Sequence, residues 1–289
     1  MTESITAHFG TDGVRRFHPV SLHGAPVPED VARALRDQGV PVAVAPYFRA
    51  AATNDAAQLA AFASQQKHQS PPGALSRWPR LGTDAGAELC VRPDGAIQAV
   101  FLSELLPDMY VSASVDLFNQ ALVLLDRSLP RLAAVDGIED ALPVFHSLMT
   151  GLKDLDPLAF AERESWWPRV LDDVRHTLNF PYSASFEFKL PDGRKEIVTD
   201  STGPGRLHPE ERVWQRLSAS GVRPQDVTRV YCELQPCLMP GHYCAQWMQE
   251  LFPAAQFTHS FDYGVTAESR EEGLKQAILY AAQQAGQQQ

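Results

Sequence analysis

His208-Pro209-Glu210 opens one run of helical pattern, Pro236-Cys237 follows a run of buried-strand pattern, and Cys244 lies in the first turn of the next helical run. An imidazole and two thiols are donors that zinc takes, and three protein ligands leave a fourth position for water. A carboxylate beside that water can accept its proton and deliver it to a leaving group. One His, two Cys and one Glu at helix starts therefore make hydrolysis by a zinc-activated water the chemistry to consider. Plainer readings stand beside it. His208-Pro209-Glu210-Glu211 is also an ordinary helix start, with proline at the first position and acids against the positive end of the dipole. Cys232 fits a strand interior as a small hydrophobe, and Cys237 and Cys244 could do the same. His242 and His259 are spare ligands, and a fourth ligand such as Cys232 or His242 would make a closed, structural zinc site.

The elements that hold these residues follow from periodicity and turns. Residues 185–190 alternate, with Phe186, Phe188 and Leu190 on one side. Pro191-Asp192-Gly193 turns the chain and 194–199 return as a second strand. Beyond Gly203-Pro204-Gly205, the pattern predicts a helix over 208–219, a strand over 227–234, a helix over 243–252, a strand over 256–263 and a helix over 267–284. Leu274, Ile278 and Ala281 share a face of the last one, and the tail 287–289 is expected to fray. The order β-β-α-β-α-β-α predicts an α/β domain, a mixed sheet packed with helices. Upstream lie an expected helix over 27–38, a strand over 42–47, a helix over 55–66, a loop over 69–80 and a hairpin over 88–102 around Pro93-Asp94-Gly95. A strand running into a helix covers 110–129, capped by Ser112 or Ser114. Helices over 141–152 and 157–178 follow, the second opening on Asp156-Pro157 and docked by Trp166 and Trp167. The pattern resets after Asn179-Phe180-Pro181, which divides the chain into an α+β domain, 1–178, and an α/β domain, 179–289.

Composition excludes several classes. The chain has 289 residues, 44% hydrophobic and 21% charged, enough for a real core. It has no apolar run long enough for a membrane span, and its first residues lack a signal-peptide profile, so the cytoplasm is the expected location. Three of the four cysteines crowd into residues 232–244, which suits a reduced compartment and a metal site better than disulfides. Of the formal charge of -10, about -3 falls from Asn179 onward and -7 before it. Neither part is a basic surface for non-specific binding to nucleic acid, and an acidic first part suits a basic partner.

The hairpin with its charged DG turn, the stretch YVSASVDLFNQAL and the later DPLAFAERESWWPRVL together resemble the SUKH superfamily, and within it the SUKH-4 type of bacterial immunity protein, over residues 1–178. The resemblance implies a binding module without catalytic residues, whose partner is a toxin domain or another protein.

Zinc deaminases carry H-x-E and then P-C-x-x-C, with the Glu as proton shuttle. Here His208-x-Glu210 and Pro236-Cys237 match, while six residues instead of two separate Cys237 from Cys244. Residues 180–265 thus resemble the cytidine deaminase-like superfamily, and more closely the nucleic acid/nucleotide deaminase domains of bacterial polymorphic toxins. The resemblance implies Zn²⁺ on His208, Cys237 and Cys244, Glu210 as general acid/base, and a cytosine or adenine base as substrate, in a nucleotide or nucleic acid. Phe188, Trp214 and Tyr263 are candidates for stacking that base. The alternative is an immunity or binding protein whose deaminase-like part is inactive. The intact Glu210 favours the enzyme.

Overall fold

The computed structural model describes residues 4–287 apart from 23, 54, 56, 104, 105, 136, 180 and 204. The expected tail residues Gln288 and Gln289, Pro204 of the expected turn, Phe180 at the expected domain junction and Ala56 of the expected second helix lie outside the described residues. The chain forms two compact units, one of Met1–Arg131 and Leu142–Leu171, the other of Leu132–Ala141 and Asp172–Gln289.

The first unit is an α+β fold. It begins with α1 (Ile5–Phe9), β1 (Val14–Arg15) and α2 (Glu29–Asp37), and β2 (Val40–Pro41) pairs antiparallel with β1. Six further strands, β3 (Ala43–Val44), β4 (Phe48–Ala50), β5 (Arg80–Thr83), β6 (Glu88–Val91), β7 (Ile97–Val100) and β8 (Met109–Ser112), form an antiparallel meander in chain order. Helix α3 (Leu59–Gln65) separates β4 from β5, and α4 (Val115–Ala133), α5 (Ile138–Leu155) and α6 (Trp166–Asn179) follow β8.

Several expectations change here for local reasons. Of the strand expected over 42–47 only β3, Ala43–Val44, forms, because Pro46 has no N–H to give a ladder; pairing resumes beyond the expected end, in β4 from Phe48. Strand β5 begins at the end of the expected loop. Its Gly82 has little strand propensity, yet only glycine fits, since a Cβ there would lie 2.1 Å from the Arg49 carbonyl oxygen. The helix expected over 157–178 is a 3-10 turn at Pro157–Phe160 followed by α6. Asp156 does not cap it, because its carboxylate accepts from Ser112 Oγ and Ala113 N, both at 2.8 Å. Ser114 caps α4 by accepting from Leu117 N at 3.2 Å. Trp166 and Trp167 are buried, and Trp166 Nε1 donates to Asp84 Oδ2 at 2.7 Å.

The second unit is the expected α/β fold. Its elements are β9 (Ser183–Lys189), β10 (Lys195–Ser201), α7 (Pro209–Ala219), β11 (Val227–Leu234), α8 (Cys244–Leu251), β12 (Gln256–Phe261) and α9 (Ala267–Gln287). The strand order is β10-β9-β11-β12. Strand β9 is antiparallel to both neighbours, whereas β11 and β12 are parallel and joined through α8. Alternation in β9 buries Ala184, Phe186 and Phe188, which pack with Val230, Cys232 and Leu234 of β11 and with Val213 and Leu217 of α7. The buried stripe of α9 runs through Ala267, Arg270, Leu274 and Ala277, while Ile278, expected on that face, is exposed. Buried Arg270 donates to Val265 O and to Asp172 Oδ2, which draws the end of α6 into this unit.

Candidate metal centre

His208 caps the N-terminus of α7 with extended backbone, and Pro209 takes the first helical position. The Glu211 carboxylate reaches back to accept from His208 N at 2.9 Å. The helix-start reading and the ligand reading therefore describe the same residue, because a capping backbone leaves the imidazole free to point elsewhere. It points at sulfur: His208 Nδ1 lies 3.4 Å from Cys237 Sγ and 3.6 Å from Cys244 Sγ.

The six residues between the cysteines fold back to permit this. His242 N and Tyr243 N both donate to Met239 O at 3.1 Å, and Ala245 N donates to Cys237 O at 3.0 Å. Gly241 takes a positive φ, and so does Tyr243, at 42°. A left-handed conformation costs a bulky residue about 1–3 kcal/mol. Here it turns the chain so that Cys244 starts α8 with its sulfur beside that of Cys237.

Among the described residues two sets of three donors have a spacing that could hold a metal: His208 with Cys237 and Cys244, and Asp173 with His208 and His242. Tetrahedral zinc, with Zn–N of about 2.0–2.1 Å and Zn–S of about 2.3 Å, sets nitrogen and sulfur roughly 3.6 Å apart. The observed 3.4 and 3.6 Å fit the first set to zinc. Cys244 is raised by burial and by its neighbouring sulfur. Burial opposes ionisation of Cys237, but the hydrogen bond from Cys244 and the His208 ring hold its thiol well below the usual range. A sulfur that gives up its proton this readily suits a thiolate ligand.

Behind His208 lies a carboxylate–imidazole network. Asp173 Oδ1, on α6, is 3.1 Å from His208 Nε2, and Asp173 Oδ2 is 3.2 Å from His242 Nε2. The first contact is close in distance but lies off the line of an ideal hydrogen bond. His242 Nδ1 is 2.7 Å from Glu211 Oε2, and the His242 ring stacks on that of His208 at 3.7 Å and 5°. His208, His242 and Asp173 are each about 2% exposed. The two histidines hold the Asp173 carboxyl below the usual range although burial opposes it, and Asp173 raises His208 against the same burial.

Glu210 is buried one position into α7 and belongs to neither donor set. Its carboxylate hydrogen-bonds the Cys232 thiol, and Oε2 is buried with no hydrogen-bond partner among the described residues. Burial raises Glu210 to about 7, with the His208 charge pulling the other way. A buried oxygen without a donor is costly, and here it lies near His208 and Cys237, whose charges both act on it.

The remaining predicted residues are spread around this centre. Phe188 is buried in the core of the sheet, and Trp214 packs edge-on against Phe252 at 4.9 Å. Buried Tyr263 hydrogen-bonds His176 Nδ1 through its hydroxyl. Cys232 lies in the strand core as a thiol raised by burial, and His259 pairs with Asp262 at 2.9 Å. Sequence reasoning missed Asp173, and it missed Tyr182, whose buried ring meets His208 edge-on at 5.9 Å. The signal that could have marked the first is its place: Asp173 follows Trp166 and Val170 at the spacing of the buried face of α6, where a carboxylate needs a partner. All four cysteines are buried free thiols. No helix among the described residues is long and apolar enough to cross a membrane.

Two protein families match the chain. Residues 180–278, which contain His208, Glu210, Cys237 and Cys244, match a family described as a Xanthomonas-like deaminase. Residues 2–173, more than half of the chain, match the SUKH-4 immunity protein family. No curated protein and no solved structure matches the chain. With its hairpin-bearing α+β unit matched over most of its length, the chain belongs to the SUKH-4 immunity protein family and carries a deaminase domain behind that part.

Proposed function

We propose that this protein is a zinc-dependent hydrolytic deaminase of a nucleobase, fused to a module that binds a toxin or another protein partner. The observation that carries the reading is the convergence of His208 Nδ1 and the two sulfurs at zinc spacing, next to a buried Glu210 with an unpartnered oxygen. We assign partner binding to residues 1–178 and chemistry to 179–289. His208, Cys237 and Cys244 would hold the ion, which would supply a Lewis acid that lowers the pKa of water. Glu210 takes a proton from that water and passes it to the exocyclic amine. A C–O bond forms at the amidine carbon of cytosine or adenine, the C–N bond breaks, and ammonia leaves without any change of oxidation state. The amino group must come within reach of a buried site, which favours a free nucleotide or an unpaired base over a stacked one. The mildly acidic charge of the second part also favours a small substrate or a short contact.

The test uses purified full-length protein, reduced and supplied with zinc. About one zinc per chain is expected from a three-ligand site, and none would end this reading. Turnover is then followed on nucleosides, nucleotides and single-stranded DNA and RNA. Glu210→Gln should keep the zinc and lose roughly 10²–10⁴-fold in rate, the usual contribution of a proton shuttle. Unchanged turnover would remove Glu210 from its role. Bound zinc with no turnover on any substrate would favour the second reading, a binding protein with an inactive deaminase domain, which the larger immunity-family match supports.

A further inference from the structure

The deaminase match begins at residue 180, yet the network behind His208 starts seven residues earlier, at Asp173, the last residue of the immunity match. Asp173 lies on the part of α6 that belongs to the second compact unit. Its two oxygens lie beside two stacked histidines, 3.1 Å from His208 Nε2, off the line of an ideal hydrogen bond, and 3.2 Å from His242 Nε2. The far nitrogen of His242 is occupied by Glu211, so His242 is held by carboxylates on both sides and is kept from the sulfurs.

We propose that Asp173 is a positioning residue for the metal centre, accepting from Nε2–H of His208 and so fixing the tautomer that turns the Nδ1 lone pair toward Cys237 and Cys244. This rests on the zinc reading above. A neutral imidazole carries one proton and one lone pair, and a carboxylate on one nitrogen decides which nitrogen holds each. Asp173 is 2% exposed, so no water competes freely for its oxygens. His242 occupies the second oxygen and stacks flat on the first ring, which removes the rotation that would otherwise let His208 swing away from the sulfurs. The working deaminase site therefore draws a residue from before the division at 178/179.

Asp173→Asn in the full-length chain tests this, with zinc affinity measured by competition with a chromophoric chelator. A weakening of 10–100-fold is expected, the usual cost of losing a carboxylate behind a ligating histidine. The cobalt-substituted protein should show altered ligand-field bands in the variant, because the His208 ring is no longer held. Equal zinc affinity with an unchanged cobalt spectrum would overturn the proposal, even if the metal-free variant melts earlier. A wild-type chain that binds no zinc would instead overturn the zinc reading itself. If Asp173→Asn does not fold, nitrogen-15 NMR of the zinc-loaded wild type decides: a His208 Nε2–H protected from solvent exchange is expected, and one that exchanges freely would overturn the assignment.

Discussion

Each unit buries a cluster of charged groups, and the two clusters are built differently. In the first unit the Arg80 guanidinium, 2% exposed, takes Glu88 Oε2 on both Nε and one terminal nitrogen, reaches Asp55 at 3.6 Å, and lies 3.2 Å over the Phe62 ring. The chain supplies both signs of charge, and an aromatic face covers the cation. In the second unit two sulfurs, an imidazole nitrogen and a carboxylate with an unpartnered oxygen gather around His208. These are electron donors, and the positive charge among them comes from imidazole protons, held by the carboxylates of Asp173 and Glu211 on the far side of the rings, and not from a guanidinium. Donor sets of the first kind are complete as folded and stabilise a core. Sets of the second kind suit a metal cation. Burial alone does not separate structure from chemistry here. The sign balance of what is buried does.

The comparison breaks if the Arg80 cluster behaves as a metal site or the His208 cluster as a structural one. The largest effect is expected at Arg80. Arg80→Met removes the cation and leaves Glu88 buried and unpaired, which should cost roughly 3–5 kcal/mol above about pH 7, where the paired carboxyl is ionised. Hydrogen exchange of peptides covering β5 to β7 would report it, and the loss should be the same with and without a metal chelator. A loss below about 1 kcal/mol, the range of a surface pair, would mean that the cluster is not a closed ionic core.

Chelation gives the next largest effect. A ligand at 100 times its Kd stabilises the state that binds it by about 2.7 kcal/mol. Removing zinc should therefore lower protection in peptides from α7, β11 and α8 by at least that amount, and zinc should restore it. Cys237→Ser should abolish the response. Protection that ignores both chelator and zinc would turn the His208 cluster into a structural network and the comparison into one of degree.

What could be read in advance follows the same line between local and distant causes. The strand over 227–234 was legible to the residue, because Val227, Val230, Cys232 and Leu234 are apolar residues that face the core there and Pro236 follows its end. The caps were half legible: Ser114 behaves as its type predicts, whereas Asp156 is claimed by Ser112 and Ala113. His208, Glu210, Cys237 and Cys244 could be picked out because their types and helix-start positions are local facts. The fold-back that joins the sulfurs was not legible, since it depends on a left-handed Tyr243, a conformation that sequence assigns to glycine or asparagine. Asp173 was not legible either. Its role exists only because α6 ends beside α7 and the turn before α8, and no spacing rule connects those places.

The smallest effect separates the clusters by the sign of their response to acid. His176 is 1% exposed and bonded to Tyr263, and burial, with Arg175 adding, lowers it to about 3. Unfolded, it would bind a proton below about 6.5, so the unfolded chain holds more protons between about pH 6.5 and 3. Stability from this group is full above 6.5 and is lost as pH falls toward 3, by at most about 1.4 kcal/mol per pH unit. Glu88 runs the other way. Burial, opposed by Arg80, raises it from 4.5 to about 7, so the folded state holds the extra proton, and its contribution is full below 4.5 and is lost as pH rises through 7. Hydrogen exchange between pH 4.5 and 6.5 should therefore show β11 and β12 losing protection toward acid while β5 and β6 gain it, after correction for intrinsic exchange rates. His176→Gln should flatten the first slope and Glu88→Gln the second. Slopes of the same sign in both regions would show that the Arg80 pair keeps Glu88 ionised throughout, and the contrast would then rest on the donor chemistry at His208 alone.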